Sequence, residues 1–139
     1  MTVQTRFLTA RSRGHGDVVD LTAELGQAVK DSGLASGIAT LFVSGSTAGL
    51  STIEFEPGAV QDLKLAFEKI APEGADYHHH ATWGDDNGSA HVRACLLGPS
   101  LTVPFQQGRP LLGTWQQVVL VDFDTRPRER EIVLQLLGE

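Results

Sequence analysis

The sequence predicts an α+β fold in which two helices accompany mainly antiparallel β-sheets in one compact domain. Apolar residues recur at helical spacing in only two segments, whereas the other apolar runs are short and separated by glycine or proline. Short connections between the strand-like runs favour antiparallel hairpins over βαβ units. With 139 residues, 41% of them hydrophobic, the chain is long enough to bury one core. We therefore assign residues 1–139 to a single domain.

The first half of the chain contains both predicted helices. The first begins after Asp20, a good N-cap, and ends at Gly33, a natural C-terminal stop. Its buried face consists of apolar residues at helical spacing: Leu21, Leu25, Ala28 and Val29. The second helix spans 60–70 and ends before Pro72. The strands predicted around these helices, with a turn over 11–17, are 2–10, 38–43 and 50–55.

The second half is predicted to be sheet, entered after a polar, histidine-rich loop. Glycine and proline pairs separate the apolar runs, as in Gly98-Pro99. The predicted strands are 90–97, 101–105, 111–113 leading into 115–122, and 131–137. Cys95, the single cysteine, lies in an apolar part of the first of these strands. We expect its thiol to be buried and unreactive, and one cysteine excludes an intrachain disulfide.

Composition limits the function classes. The net charge of −6 disfavours nucleic-acid binding, and no apolar run reaches the roughly 18 residues of a membrane helix. The first residues lack the apolar core of a signal peptide, so we expect a cytoplasmic protein without nucleic-acid or membrane partners. Arg126, Arg128 and Arg130 alternate with acidic residues, which is typical of a solvated turn. A phosphate pocket built from one or two arginines stays open, because net charge does not decide local potential.

Residues 77–98 hold four of the five histidines together with two aspartates, and this segment predicts a metal or acid/base site. A pair of imidazoles from His79 and His91 would be joined by a carboxylate from Glu54, Asp85 or Asp86. The competing interpretation is a surface loop whose histidines are merely polar. It applies best to the neighbours of His79, which would point away from it in an extended segment: His78 and His80.

Two glycine-containing segments offer groups for ligand binding. The turn at 44–49 follows a strand, and Ser46 and Thr47 there could present hydroxyls and backbone N–H groups to an anion, although a plain hairpin turn explains them equally. Trp115 and Gln116, after Gly113-Thr114, either line a pocket or pack a corner of the sheet. A serine-hydrolase site is disfavoured, because no G-x-S-x-G motif is present.

Several ordered motifs together resemble the YjbQ family, whose members are often labelled secondary thiamine-phosphate synthase. They are the LLGPSLTVP segment at 96–104, the GTWQ segment at 113–116 and the ending at Gly138-Glu139. The resemblance covers nearly the whole chain. It implies a compact α+β domain that assembles as a homotrimer, with histidines around a divalent metal, Zn or Mg, at or near subunit contacts.

The resemblance also assigns residues by position. The family's Tyr-x-His motif falls on Tyr77 and His79, its Ala-His motif on Ala90 and His91, and the glutamate of its Asn-Glu-Asn segment on Glu54. The chain departs from the family at two positions where many relatives carry histidine: Gly45 and Ser89. His78, His80 or Asp86 are the candidates to replace the missing imidazoles.

The expected activity follows from the resemblance: a pyrimidine diphosphate is joined to a thiazole phosphate and pyrophosphate is released. The expected catalytic residues are His79, His91 and Glu54. The expected metal ligands are His79, His91 and Asp86. The expected ligand-binding residues, which would contact a small, phosphorylated molecule, are Ser46, Thr47, Arg93, Trp115 and Gln116. Two alternatives remain: a non-catalytic trimer that binds a metal or small anionic metabolite, and a structural trimer whose histidines satisfy a polar interface.

Overall fold

Two antiparallel sheets and four helices form the fold, which a computed structural model describes over residues 1–139. The strands are β1 (Thr2–Ser12), β2 (Asp17–Asp20), β3 (Ser36–Val43), β4 (Ala48–Ile53), β5 (Ser100–Gln106), β6 (Arg109–Pro110), β7 (Gln117–Asp122) and β8 (Arg128–Gly138). The helices are α1 (Thr22–Ser32), α2 (Pro57–Ile70), α3 (His78–Trp83) and α4 (Gly88–Leu97). The α+β class and the antiparallel pairing are confirmed.

The strands divide into a five-stranded sheet, in the order β1-β8-β3-β5-β6, and a three-stranded sheet, in the order β2-β7-β4. The main core lies between the two sheets and α1. A second core covers the other face of the three-stranded sheet, where α2 and α4 pack around Phe67 and Phe123. Residues 118–121 of the central strand β7 are all buried, because both faces of that sheet are covered. This explains their uninterrupted apolar sequence.

The first two helices form as the sequence predicts. Leu25, Ala28 and Val29 of α1 are buried, and the helix ends at Gly33, whose φ of 73° suits glycine. Helix α2 begins earlier than predicted, at Pro57, because proline is favoured at the first helical position and the Glu56 carboxylate caps the free N–H groups.

Three assignments in the sequence analysis were wrong, and two short strands were missed. The predicted strand 90–97 is helix α4, and the histidine-rich loop contains the short helix α3. The buried positions of α4 recur with helical spacing, because one side of the helix packs on the three-stranded sheet: Ser89, Ala90, Arg93 and Ala94. Residues 111–116 form a loop rather than a strand. The short strands β2 and β6 were not predicted.

The outer face of the five-stranded sheet is uncovered within the chain and carries apolar side chains on either side of a central polar row, namely Thr5, Gln135, Thr40 and Thr102. Large side chains on this face are substantially exposed, namely Val3, Phe7, Ile38 and Phe42. They alternate with core residues along β1 and β3, so the sheet presents apolar groups on both faces. No helix is both long and apolar enough to span a membrane.

A buried polar network joins the two sheets at the end of β7. Asp122 receives two hydrogen bonds from Arg130, at 2.7 and 2.8 Å, and a third at 2.6 Å from Ser12 Oγ. Thr47 accepts from Arg130 and donates to Asp124, which Arg128 also binds. Arg130 is only 9% exposed, so the prediction of a solvated turn was wrong for it. Burial alone raises the pKa of Asp122, but the hydrogen bonds from Arg130 and Ser12 outweigh it and lower the pKa below its ordinary value.

Asp122→Asn should reduce the free energy of unfolding at pH 7 by about 3 kcal/mol, because it leaves the buried Arg130 without its main counter-charge. Asp62→Asn is the control, since Asp62 is exposed on α2. The folded-state pKa of Asp122 is depressed, so its stabilisation is complete above the unfolded value of about 3.9 and is lost as pH falls below it. Urea unfolding of both variants and wild type at pH 7, 5 and 3 tests this. A difference between Asp122→Asn and wild type that stays constant to pH 3 would contradict it.

Candidate functional site

Two short helices bring His79 and His91 together. His79 lies on α3 and His91 on α4, and their ring centroids are 4.3 Å apart at an interplanar angle of 60°. Both side chains are half-buried. The expected proximity of the two imidazoles is therefore present within one chain.

His79 belongs to a group of polar side chains that can each present an acceptor atom, and we call it the acceptor cluster: His79, Asp85 and Asn87. His79 Nε2 lies 3.3 Å from Asp85 Oδ2. With Asn87 Nδ2 turned toward Asp124 Oδ1, at 3.4 Å, the amide oxygen lies 3.2 Å from His79 Nε2 and from both Asp85 oxygens. Turned through 180°, the amide donates to these same atoms instead. In the turned orientation the Asn87 amide satisfies the imidazole and the carboxylate, and in the other orientation its oxygen faces the same point as they do.

Of the two adjacent aspartates that the sequence analysis offered, Asp85 is the one that lies beside His79. Both are exposed, and Asp86 instead accepts a hydrogen bond from Thr125 Oγ1 at 2.9 Å. No group of three His, Cys, Asp or Glu side chains is arranged to hold a metal. The third potential ligand beside His79 and Asp85 is the amide oxygen of Asn87, a residue type that the sequence analysis did not consider as a metal ligand.

A cavity of about 360 Å³ lies beside His91, and we call it the His91 cavity. It is lined by Gly45, Ser46, Ala48, His91, Ala94, Cys95 and Pro99. Ser46 thus shares a cavity with His91, as expected of a ligand-binding residue. The expectation that Cys95 is buried was wrong. Its side chain is exposed, because α4 is a helix and turns this position away from the sheet.

The histidines beside His79 differ in role. His80 Nε2 accepts a hydrogen bond from Gly88 N at 3.0 Å and its ring packs on Tyr77, so it fixes the start of α4. A Cβ at Gly88 would lie 2.5 Å from Tyr77 Cβ, which explains the glycine. His78 is exposed. Neither imidazole joins the acceptor cluster.

Three of the predicted site residues lie at the other end of the three-stranded sheet: Glu54, Trp115 and Gln116. Ala48 pairs with Asp122 near the histidines, whereas Ile53 pairs with Gln117 at the far end. Five residue steps along β4 separate these ends by about 17 Å. Glu54 and Trp115 are exposed there, and Gln116 is bonded to Gly113 N and Thr52 Oγ1. Within one chain these residues do not meet His79 or His91.

Two further predicted ligand-binding residues hold the structure together instead. Thr47 is buried in the network between Arg130 and Asp124. Arg93 is 4% exposed, donates to Ala71 O at 2.8 Å and pairs with Glu68 at 2.7 Å. Arg93 therefore joins α4 to the end of α2 and is not available to a ligand in the His91 cavity.

The chain matches a protein family along most of its length. The family model described as UPF0047 protein YjbQ-like matches residues 6–139. A UPF0047 protein of Methanothermobacter thermautotrophicus is 34% identical over 139 residues, covering 100% of this chain and 95% of the relative. Another from Synechocystis is 37% identical over 112 residues, covering 80% of this chain and 76% of the relative.

Solved structures agree with the sequence relatives. A YbjQ-like protein of unknown function from Sulfolobus solfataricus P2 superposes with a TM-score of 0.88 at 31% identity, over 99% of this chain and 100% of that one. A hypothetical protein from Aeropyrum pernix K1 superposes with a TM-score of 0.90 at 29% identity, over 98% of this chain and 99% of that one. Fold and sequence therefore point to the same family.

Proposed function

The chain belongs to the YjbQ-like UPF0047 family, and from this premise we propose that it is a metal-assisted enzyme acting on a small phosphorylated molecule beside His79 and His91. The observation that carries the proposal is the acceptor cluster. Three side chains from α3 and the segment before α4 bring polar atoms within 3.2–3.3 Å of one another. An imidazole nitrogen, a carboxylate and an amide oxygen from these side chains could turn toward one bound cation.

The spacing of the acceptor cluster suits a divalent ion. Ligands bound at about 2.1 Å lie about 3.0–3.4 Å apart in octahedral or tetrahedral geometry. One imidazole, one carboxylate and one amide oxygen suit Zn²⁺ or Mg²⁺ and leave positions open for water or ligand. A bound ion would draw negative charge from a phosphate or pyrophosphate group.

The residues of the chain divide the remaining tasks. His91 lines the His91 cavity and contacts the His79 ring, so it is placed to exchange a proton with a bound ligand. Ser46 lines the same cavity. The family resemblance supplies the proposed reaction, thiamine-phosphate synthesis with loss of pyrophosphate. The non-catalytic alternative, a protein that binds a metal or small anion, uses the same groups.

We propose that the working form is a homotrimer in which a second copy completes the site. Glu54, Trp115 and Gln116 lie at one end of the three-stranded sheet and the histidines near the other, with about 17 Å of β4 between the two ends. If the far end of one copy contacted the histidine end of a neighbouring copy, these residues would meet the histidines across the subunit contact. The exposed apolar side chains on the outer sheet face, among them Phe7 and Phe42, support burial by another copy, because monomers seldom expose large apolar patches.

Metal binding is tested by elemental analysis of protein purified without chelators. We expect about one Zn or Mg ion per chain. His79→Ala and Asp85→Asn should each weaken metal binding at least about tenfold, whereas the matched control Asp86→Asn should not. Metal content equal in Asp85→Asn and wild type would contradict the assignment.

The trimer is tested by sedimentation equilibrium, where the mass should be three times the chain mass of 14.9 kDa. Phe42→Asp should shift the protein toward monomer, because it places a charge in the proposed contact. Leu65→Asp is the control, since Leu65 is 51% exposed on α2, away from the sheet face. A wild-type monomer at micromolar concentration would refute the assembly.

The reaction is tested by complementing a thiamine-phosphate synthase deletion strain and by assay of the purified protein with Mg²⁺. We expect weak activity that His91→Ala reduces by about a hundredfold, as for loss of a general acid or base. His78→Ala should retain activity, because this side chain is exposed and outside the acceptor cluster. A protein that binds metal but fails both assays would favour the non-catalytic alternative.

A further inference from the structure

Arg130 has one guanidinium nitrogen that the buried network does not use. Its Nε and Nη2 donate to Asp122, and Nη2 also donates to Thr47 Oγ1 at 2.6 Å. Nη1 has no hydrogen-bond partner in the chain, and it is not fully enclosed by other protein atoms. An arginine that is nine-tenths buried thus keeps one N–H₂ group for something outside the fold.

Glycine at position 45 leaves this nitrogen uncovered. A Cβ built on Gly45 would lie 2.9 Å from Arg130 Nη1, inside normal contact distance. Gly45 is exposed and lines the His91 cavity together with Ser46. The backbone N–H of Ser46 has no backbone acceptor in the chain, so a second donor is available beside the first.

We propose that Arg130 Nη1, uncovered by Gly45, binds an anionic oxygen of a ligand in the His91 cavity, with the Ser46 N–H and hydroxyl as neighbouring donors. The ligand class is a small molecule carrying a phosphate or carboxylate group. This anion contact adds to the proposed function, and it rests on that proposal for the location of the ligand site. It assigns a positioning contact for the ligand anion to a residue that also joins the two sheets.

The physical case rests on preorganisation rather than net positive charge. Asp122 and Asp124 already balance the charge of Arg130, at 2.7 and 3.8 Å. The bidentate pair with Asp122 fixes the guanidinium plane, so Nη1 needs no reordering to donate. An N–H group held in a fixed direction favours anions that present a lone pair along that direction. Oxyanions should therefore bind in preference to chloride.

The test uses full-length protein stripped of metal by chelator, so that it is independent of the acceptor cluster. Isothermal titration with inorganic phosphate, acetate and chloride compares wild type with Gly45→Ala and Gly26→Ala. The alanine methyl at 45 should cover Nη1 and weaken phosphate binding about tenfold, the value of one charge-assisted hydrogen bond. Gly26 lies in α1 with nothing within 4 Å of its added Cβ, so Gly26→Ala should bind as wild type does.

A second measurement keeps the proposal testable if Gly45→Ala folds poorly. In ¹⁵N-labelled wild type, phosphate should shift the Arg130 side-chain resonances, and the size of the shift with acetate tells a carboxylate ligand from a phosphate ligand. Equal binding by Gly45→Ala and wild type would overturn the proposal. So would binding seen only after Zn²⁺ or Mg²⁺ is restored, a result that would leave the metal site standing.

Discussion

The ion pair between Asp122 and Arg130 is the interaction on which the arrangement of this molecule depends. Asp122 ends β7 of the three-stranded sheet, and Arg130 lies near the start of β8 in the five-stranded sheet. Two buried charges are tolerated there because each carboxylate oxygen and two of the guanidinium nitrogens are hydrogen-bonded. The pair fixes the distance between the sheets at the end where the histidines lie.

The functional region is attached to this pair through few intermediates. Thr47 bonds both Arg130 and Asp124, and it immediately precedes β4. Asp124 in turn lies 3.4 Å from Asn87, which belongs to the acceptor cluster. The turn that lines the His91 cavity and the segment that carries the acceptors are therefore positioned by one buried network. Surface helices as short as α3 need such anchoring, because six residues do not form a stable helix alone.

Local sequence signals predict those parts of the fold that local physics decides. Helix α1 follows from its apolar spacing and Gly33, and the main strands follow from short apolar runs bounded by turns. Helix α4 was misassigned because its apolar run gives no clear periodicity until the sheet beneath it is known. The contact between His79 and His91 was predictable from family motif positions. Which of Asp85 and Asp86 lies beside His79 could not be predicted, because two adjacent aspartates differ only in the direction in which the backbone points their side chains. Arg130 looked like a solvated residue because its counter-charge, Asp122, lies on another strand.

The departures from the family motifs gain a physical meaning once this network is seen. An imidazole at position 45 would occupy the space in front of Arg130, since even a Cβ there lies 2.9 Å from Nη1. Glycine removes a potential metal ligand and at the same time leaves the fixed Arg130 donor uncovered beside a residue that lines the cavity. The exchange shifts the balance of the site from imidazole toward guanidinium, which binds oxyanions and not metal ions. In the proposed metal site, the remaining cation ligands would then be oxygen donors. Asp85 and Asn87 are the side chains beside His79 that could supply them.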